Sequence, residues 1–196
     1  MSKQDEVSQK IIDKSLRLFN TNGIHMTSIQ DIMNETGLPK GAIYRRFKNK
    51  NEIVLASYAK AGSIIDSFIR ESIENKHTVT EKVMAISNIY LDAVDNPPIE
   101  GGCPMLNTAI ESDSNFPELK TMMAEAFQQM ILFVESLLSE GIETGEYTTE
   151  MEPRSLASHL LSSMEGAIMT SRLSLSNEHV EHTIKYTERL LATYTK

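Results

Sequence analysis

The chain has 196 residues, 40% of them hydrophobic and 23% charged, with nine Gly, six Pro and no Trp. This composition excludes disordered, collagen-like and low-complexity proteins, and the length allows one large domain or two small ones around a hydrophobic core. No apolar run approaches the roughly 18 residues of a membrane span, and the polar N-terminal segment lacks the apolar centre of a signal peptide. The single cysteine, Cys103, is typical of a reducing compartment. We expect a folded cytoplasmic protein with no membrane partner.

The charge is distributed unevenly along the chain. The formal net charge is −8, yet residues 1–60 carry ten basic and six acidic side chains, which gives +4, whereas the remainder has a net charge of −12. The stretch 36–51 contains five basic residues and no acidic one. A basic N-terminal part on an acidic body indicates a local contact with nucleic acid.

The apolar residues have helical spacing throughout, and no segment alternates as a strand would. The first three helices are predicted at 5–21, from Thr27 to Gly37, and from Pro39 to about Phe47. An Asn-Gly pair supplies a stop after the first helix, the capping-box form Thr-x-x-Gln starts the second at Thr27, and Pro39 suits the first turn of the third.

The later helices are separated by proline and glycine signals. They are predicted from Asn49 to about 75, over 80–94, after Pro104, over 117 to about 141, and from Pro153 and Ser176. The fourth of the nine is long enough to link two subdomains. The fold class is therefore all-α with about nine helices.

The second and third helices, joined by a tight turn at Gly37-Leu38, have the form of a helix-turn-helix, whose second helix can enter the major groove of DNA. The side chains left on its outer side by the apolar spacing are Lys40, Ala42, Tyr44, Arg45 and Arg46. Gly41 allows a close approach of the backbone to DNA. The alternative is a solvated basic face beside a helical hairpin.

The segment TSIQDIMNETGLPKGAIYRRFKNKNEIV resembles the DNA-binding segment of the tetracycline-repressor (TetR) family of bacterial transcriptional regulators, without a gap from the first helix to the start of the fourth. The matching positions are Thr27, Gly37, Lys40, Gly41, Tyr44, Phe47, Lys48, Lys50 and Glu52. The family's usual His-Tyr pair is here Arg45-Arg46, which adds positive charge.

The resemblance implies a role for each matching side chain on DNA. It places Thr27, Tyr44 and Lys50 on phosphates, with Lys48 also facing the phosphates. Lys40 and the residues at 42, 45 and 46 lie nearer the bases.

The remainder of the chain resembles the same family less specifically. Residues 141–147 are similar to the linker before its eighth helix, 153–169 to that helix, and GGCPMLNTAIESDSNFPEL to members whose sixth helix opens with a Gly-Cys pair. The resemblance implies a helix-turn-helix DNA-binding domain over 1–48 and a ligand-binding and dimerisation domain over 49–196.

The function implied is that of a ligand-responsive transcriptional repressor, a homodimer that binds a palindromic operator in double-stranded DNA and is released by a small-molecule effector. A dimer would place two recognition helices about one helical turn apart, roughly 34 to 36 Å. The alternative is a helical redox or small-molecule-binding protein that senses electrophiles through Cys103 without binding DNA.

The last two helices are amphipathic and suit a four-helix dimer interface, which is their role in the family. The candidate interface residues are Leu156, Leu160, Met164, Ala167, Val180, Ile184 and Leu191. The alternative is an intramolecular core.

An effector pocket is predicted among the methionines, because methionine suits adaptable apolar cavities, although methionines are more often plain core. The candidate ligand or sensor residues are Cys103, Met105, Met122, Met130 and Met164. Cys103 precedes a helix start, where the backbone dipole lowers a thiol pKa, and a buried inert cysteine is the alternative.

Enzymatic motifs are isolated and lack their partners. Ser57 and Lys60 match S-x-x-K without the other motifs of that chemistry, and His179 and His182 lack a metalloprotease pattern. The chain has no G-x-G-x-x-G or Walker loop. We predict no catalytic residue, no metal site and no cofactor, and therefore no enzyme.

Overall fold

The computed structural model describes residues 3–111 and 116–196, and all regular elements in these two stretches are α-helices. They are α1 (Lys3–Asn22), α2 (Ile29–Thr36), α3 (Lys40–Tyr44), α4 (Lys50–Ile73), α5 (Val79–Asn88), α6 (Pro104–Glu111), α7 (Pro117–Glu143), α8 (Pro153–Ser174) and α9 (Glu178–Ala192). This confirms the all-α prediction. In the described stretches, no helix is long and apolar enough to cross a membrane.

Two helices are shorter than the sequence predicts. The predicted helix 80–94 ends at Asn88, and turns occupy 89–95. In that turn the Asp92 carboxylate accepts a hydrogen bond from the amide of Asp95, an alternative to helical bonding that short polar side chains offer the backbone. The third helix ends at Tyr44 instead of Phe47, and the amide of Arg46 donates to the carbonyl of Ile43 in the tighter i−3 pattern.

The chain divides into two compact units. The first combines Met1–Ile65 with Ile99–Thr121, and the second combines Asp66–Pro98 with Met122–Lys196. The predicted boundary at residue 48 lies just before α4, whereas the compact units divide within α4, after Ile65. The functional division into 1–48 and 49–196 stays a prediction.

The first unit is built on α1. Its fully buried face holds Ile11 and Phe19, and Ile32 of α2, Ile43 of α3 and Ile53 of α4 are buried as well. The helix α1 contacts α2, and α2 contacts α3. The two short helices are therefore held by a longer one, as the apolar spacing predicts.

The segment that leads into α6 joins the same unit through two asparagines. The Asn20 side-chain amide donates to the carbonyls of Glu100 (2.8 Å) and Gly102 (3.0 Å). The Asn107 side-chain amide donates to the Asn20 carbonyl (3.0 Å) and to the Gly101 carbonyl (2.9 Å). The C-terminal end of α1 and the start of α6 thus form one hydrogen-bonded structure.

The core of the second unit is formed by α5, α7, α8 and α9, whose buried residues include Val83, Leu138, Leu160 and Leu191. The helices α8 and α9 pack closely on each other, and α5 contacts α9. The ring of Tyr147, in the loop between α7 and α8, is fully buried in this cluster. The second unit therefore has a hydrophobic core of its own.

Glu146 attaches that loop to the N-terminus of α5. Its carboxylate accepts hydrogen bonds from the amides of Val79 (2.7 Å) and Thr80 (2.8 Å) and from the Thr80 hydroxyl (2.6 Å). Partial burial raises the pKa of Glu146, but the hydrogen bonds from Thr80 and Val79 outweigh it, so the pKa lies below its ordinary value of 4.5.

We expect Glu146→Gln to lower the free energy of unfolding by about 1 to 2 kcal/mol at neutral pH, because charge-assisted hydrogen bonds are replaced by weaker ones. A lowered folded-state pKa means that the unfolded chain binds more protons at acidic pH. The contribution is therefore complete above about pH 4.5 and is lost as the pH falls through the folded-state value. Urea unfolding from pH 7 to pH 3 measures it, with the exposed Glu150→Gln as control. An equal loss in both variants would contradict this role.

Candidate nucleic-acid interface

The helix α2 begins one residue later than the sequence predicts. Ser28, and not Thr27, is the N-cap, and its hydroxyl accepts a hydrogen bond from the amide of Asp31 (3.2 Å). The Asp31 carboxylate accepts in return from the amide of Ser28 (2.8 Å), which completes the capping box. Hydrogen bonds from the Ser28 side chain and backbone hold the pKa of Asp31 below its ordinary range.

Thr27 has an internal role in the first unit. Its side chain is buried, and its hydroxyl donates to the carbonyls of Gly23 (2.8 Å) and Leu18 (3.3 Å). It therefore fixes the loop between α1 and α2, and the phosphate contact of Thr27 that the resemblance implies stays a prediction.

The turn between α2 and α3 depends on Gly37. Gly37 ends α2 with a φ of 68°, a left-handed conformation that glycine adopts without the steric cost of a side chain, and its amide donates to the Met33 carbonyl (2.8 Å). Pro39 is the N-cap of α3. This turn places α3 directly after α2, as in a helix-turn-helix.

The outer surface of α3 carries most of the predicted side chains. Lys40, Gly41, Tyr44 and Arg45 are exposed, and the Lys40 ammonium lies 5.7 Å from the centre of the Tyr44 ring, within cation-π range. Ala42 is buried beside Ile43, so its prediction as an outward-facing residue is wrong. The helix α3 has only five residues, and the packing of Ile43 against the core also buries the adjacent Ala42.

Both arginines hydrogen-bond the end of the helix that precedes them. Arg45 Nε donates to the Gly41 carbonyl (3.1 Å), and Arg46 Nη1 donates to the Ala42 carbonyl (2.9 Å). These carbonyls belong to the last turn of α3, where cationic side chains are favoured. Arg45 is exposed, whereas Arg46 is half-buried and its Nε is buried without a hydrogen-bond partner in the described part of the chain. The structure therefore distinguishes two arginines that the sequence treats alike.

The two lysines at the start of α4 also differ. The Lys48 side chain is 89% exposed, and its ammonium lies 3.8 Å from the Glu52 carboxylate. The Lys50 ammonium is partly buried and donates to the Ile24 carbonyl. Burial lowers the pKa of Lys50, and the carboxylates of Glu111 and Asp31 partly offset this. The Lys48 side chain is thus exposed to solvent, whereas the Lys50 side chain is hydrogen-bonded to the loop between α1 and α2.

Comparison with known proteins identifies the fold and the family. The family model "Bacterial regulatory proteins, tetR family" matches residues 11–57, and the model "Tetracyclin repressor-like, C-terminal domain" matches 79–187, more than half of the chain. The chain belongs to the TetR family of transcriptional regulators. Its helix-turn-helix is therefore a DNA-binding element, and the chain is a regulator and not an enzyme.

Several relatives of the TetR family resemble the whole chain. A TetR transcriptional regulator from Chloroflexus aurantiacus superimposes with a TM-score of 0.95 at 30% identity, over 100% of this chain and 98% of that one. The uncharacterised regulator YxaF of Bacillus subtilis is 27% identical over 91% of this chain and 90% of its own length. The transcriptional repressor DhaR of a Mycobacterium species is 23% identical over 89% and 87%. Membership of this family favours a DNA-binding regulator over the alternative of a redox protein that does not bind DNA.

The predicted sensor residues do not fall in one unit. Cys103 and Met105 belong to the first unit, whereas Met122, Met130 and Met164 belong to the second. Cys103 is buried, and the four methionines are half-buried. In the second unit, a groove of about 660 Å³ beside α5 is lined by Phe68, Met84 and Ile89 among others, and by none of these five residues. Their role in effector binding stays a prediction.

Most of the predicted dimer-interface side chains are buried inside the single chain. Leu156, Leu160 and Leu191 belong to the core of the second unit, and Ala167 and Val180 are buried as well. Met164 and Ile184 are half-buried. The apolar stripes of α8 and α9 face each other and the core, which favours the intramolecular alternative for these five residues, and their role in a dimer interface stays a prediction.

The capping box gives a test of this geometry. We expect Ser28→Ala to destabilise the chain by about 1 kcal/mol, because an amide of the first turn of α2 loses its acceptor. Thermal unfolding followed by circular dichroism measures it. The exposed Ser162→Ala in α8 serves as control and should change stability by less than about 0.5 kcal/mol. Equal stability of both variants would show that Ser28 does not cap α2 in solution.

Proposed function

We propose that this TetR-family regulator is a repressor, which binds a palindromic operator as a homodimer and is released by a small-molecule effector. The observation that supports this proposal most is the exposed surface of α3 and its C-cap, formed by Lys40, Tyr44 and Arg45. This surface lies within residues 1–60, which have a net charge of +4. The similarity to a relative named as a transcriptional repressor supports the direction of regulation.

Arg45 is the proposed base-reading residue. It is exposed at the end of α3, and an arginine there can bond bidentately to the O6 and N7 acceptors of guanine in the major groove. Arg46 is half-buried and bonded to the backbone of α3, so its main proposed role is to shape the helix. Lys48, which is highly exposed, is the proposed phosphate contact.

A homodimer is proposed through the outer faces of α8 and α9. Met169 and Leu173 are one helical turn apart on α8 and are 49% and 83% exposed, and Tyr186 of α9 is 64% exposed. Large apolar side chains exposed on two packed helices are typical of an interface. These residues replace the buried ones that the sequence predicts.

The effector is proposed to act through a change between two conformations of the dimer. A ligand shifts such an equilibrium only if it binds one conformation better than the other, and DNA must weaken ligand binding by the same factor. The usual coupling is about 1 to 3 kcal/mol, or roughly 5- to 150-fold in affinity. Gel-shift with genomic fragments that flank the gene of this protein, with and without compounds that raise its melting temperature, tests both steps.

Substitution of the two proposed DNA contacts, Arg45 and Lys48, and of the helix-shaping Arg46 should give different results. Arg45→Ala should cost about 1 to 3 kcal/mol on a duplex selected by the wild-type chain and relax the preference at one base pair. Lys48→Ala should weaken selected and random duplexes alike and lower the salt slope by about one unit. Arg46→Ala should lower thermal stability without relaxing any base position. Fluorescence anisotropy at several salt concentrations measures these affinities, and equal losses for Arg45→Ala on both duplexes would contradict base reading.

The dimer should depend on the outer face of α8. We expect Leu173→Glu to shift the chain towards a monomer and to weaken binding to the palindromic duplex, because a carboxylate is desolvated in the interface. Leu132→Glu in α7 is the matched control, since Leu132 is also exposed, at 44%. Sedimentation analysis measures the association state. A dimer that is equally stable in both variants would place the interface elsewhere.

A further inference from the structure

The loop between α1 and α2 is held by a carboxylate from α6. The Glu111 carboxylate oxygen Oε2 accepts hydrogen bonds from the amides of Ile24 (2.7 Å) and His25 (3.1 Å). A Cβ added at Gly23, which has a φ of 89°, would lie 2.7 Å from Glu111 Oε1, so the carboxylate is packed directly against the loop backbone. Neither helical periodicity nor the family motif indicates this contact between residues that are 87 positions apart.

The same loop is held from its other side by Lys50. The Lys50 ammonium donates to the Ile24 carbonyl, so the amide and the carbonyl of Ile24 are bound by side chains of opposite charge. Glu111 also acts on its surroundings through its charge, since it partly offsets the lowered pKa of Lys50. The first unit therefore contains a clamp, which we define as Glu111, Lys50 and the backbone of residues 23–25.

The clamp is connected to the DNA-binding helices. The Gly23 carbonyl accepts hydrogen bonds from the amide (3.2 Å) and the hydroxyl (2.8 Å) of Thr27, and Thr27 directly precedes the N-cap of α2. A shift of the loop would therefore change the position at which α2 begins. Since α3 follows α2 after a short turn, the recognition helix would move with it.

We propose that Glu111 is a positioning residue for DNA binding: its carboxylate fixes the loop between α1 and α2 and thereby the placement of the helix-turn-helix. This inference rests on the DNA binding described above. The expected effect on DNA affinity is opposite to that of charge alone, because Glu111 is acidic and DNA is a polyanion. Simple electrostatics predicts that its removal strengthens the binding of a polyanion, whereas loss of positioning weakens it.

Two variants of Glu111 and one control separate these effects. Glu111→Ala removes both charge and hydrogen bonds, and we expect on the order of tenfold weaker binding to a duplex selected by the wild-type chain. Glu111→Gln keeps a carbonyl acceptor without the charge, so its affinity should lie between those of the wild type and Glu111→Ala. Glu100→Gln removes an equal charge from the same unit, where the carboxylate is exposed and contacts Arg17 at 3.4 Å. It should bind DNA as tightly as the wild type or slightly more tightly.

The affinities are measured by fluorescence anisotropy on the selected duplex and on a random-sequence duplex, below the melting temperature of each variant. The loss in Glu111→Ala should be larger on the selected duplex and should persist at high salt, where charge effects are screened. Amide hydrogen exchange at Ile24 and His25 should accelerate in Glu111→Ala and stay unchanged in Glu100→Gln. This second measurement does not depend on DNA.

The outcomes distinguish the two proposals. If the wild type binds no selected duplex, the proposed DNA binding itself fails. If the wild type binds but Glu111→Ala binds as tightly or more tightly, Glu111 is only a nearby negative charge and the positioning role is overturned. Unchanged exchange of the Ile24 and His25 amides in Glu111→Ala would also overturn it.

Discussion

The recognition helix has only five residues, and the DNA-binding function depends on how it is held. A helix this short cannot compensate the cost of its own nucleation, so its shape comes from packing and from its ends. Ile43 is completely buried and fixes the orientation of α3, while Gly37 and Pro39 set the turn that precedes it. The neighbouring helices of the first unit therefore fix the position of this short helix.

The pair Arg45-Arg46 has a structural role at the end of that helix, and base reading is proposed for Arg45 only. The Arg46 guanidinium bonds the Ala42 carbonyl in the last turn of α3, and the Arg45 guanidinium adds a second donor to the Gly41 carbonyl, which also accepts from the Arg45 amide (3.3 Å). A side chain fixed in this way loses less conformational entropy when it binds a base, which favours affinity. The departure from the family's usual His-Tyr pair therefore changes the stability of α3 as well as the charge that it presents.

The sequence predicts the helices well because their signals are local, and it predicts the candidate site less well where partners are distant. Gly37 and Pro39 act on their own neighbours, and the turn after Gly37 is as predicted, although Pro39 is the N-cap of α3 and not part of its first turn. Thr27 and Ser28 each begin a capping-box pattern, and only the buried position of Thr27 decides in favour of Ser28. For Val180, a helical stripe shows that one face is covered but cannot show whether a second chain or the same chain covers it.

Two helices continue from one compact unit into the other, whereas the sequence indicates only one. The fourth helix runs from the first unit into the second, as predicted, and α7 does so as well, with the division after Thr121. The helix α6 lies in the first unit, where its last residue, Glu111, holds the loop between α1 and α2. The helix α4 also carries Lys50, which binds the same loop. Because both charged side chains of the clamp hold Ile24, a change in either α4 or α6 would act on the loop that precedes α2.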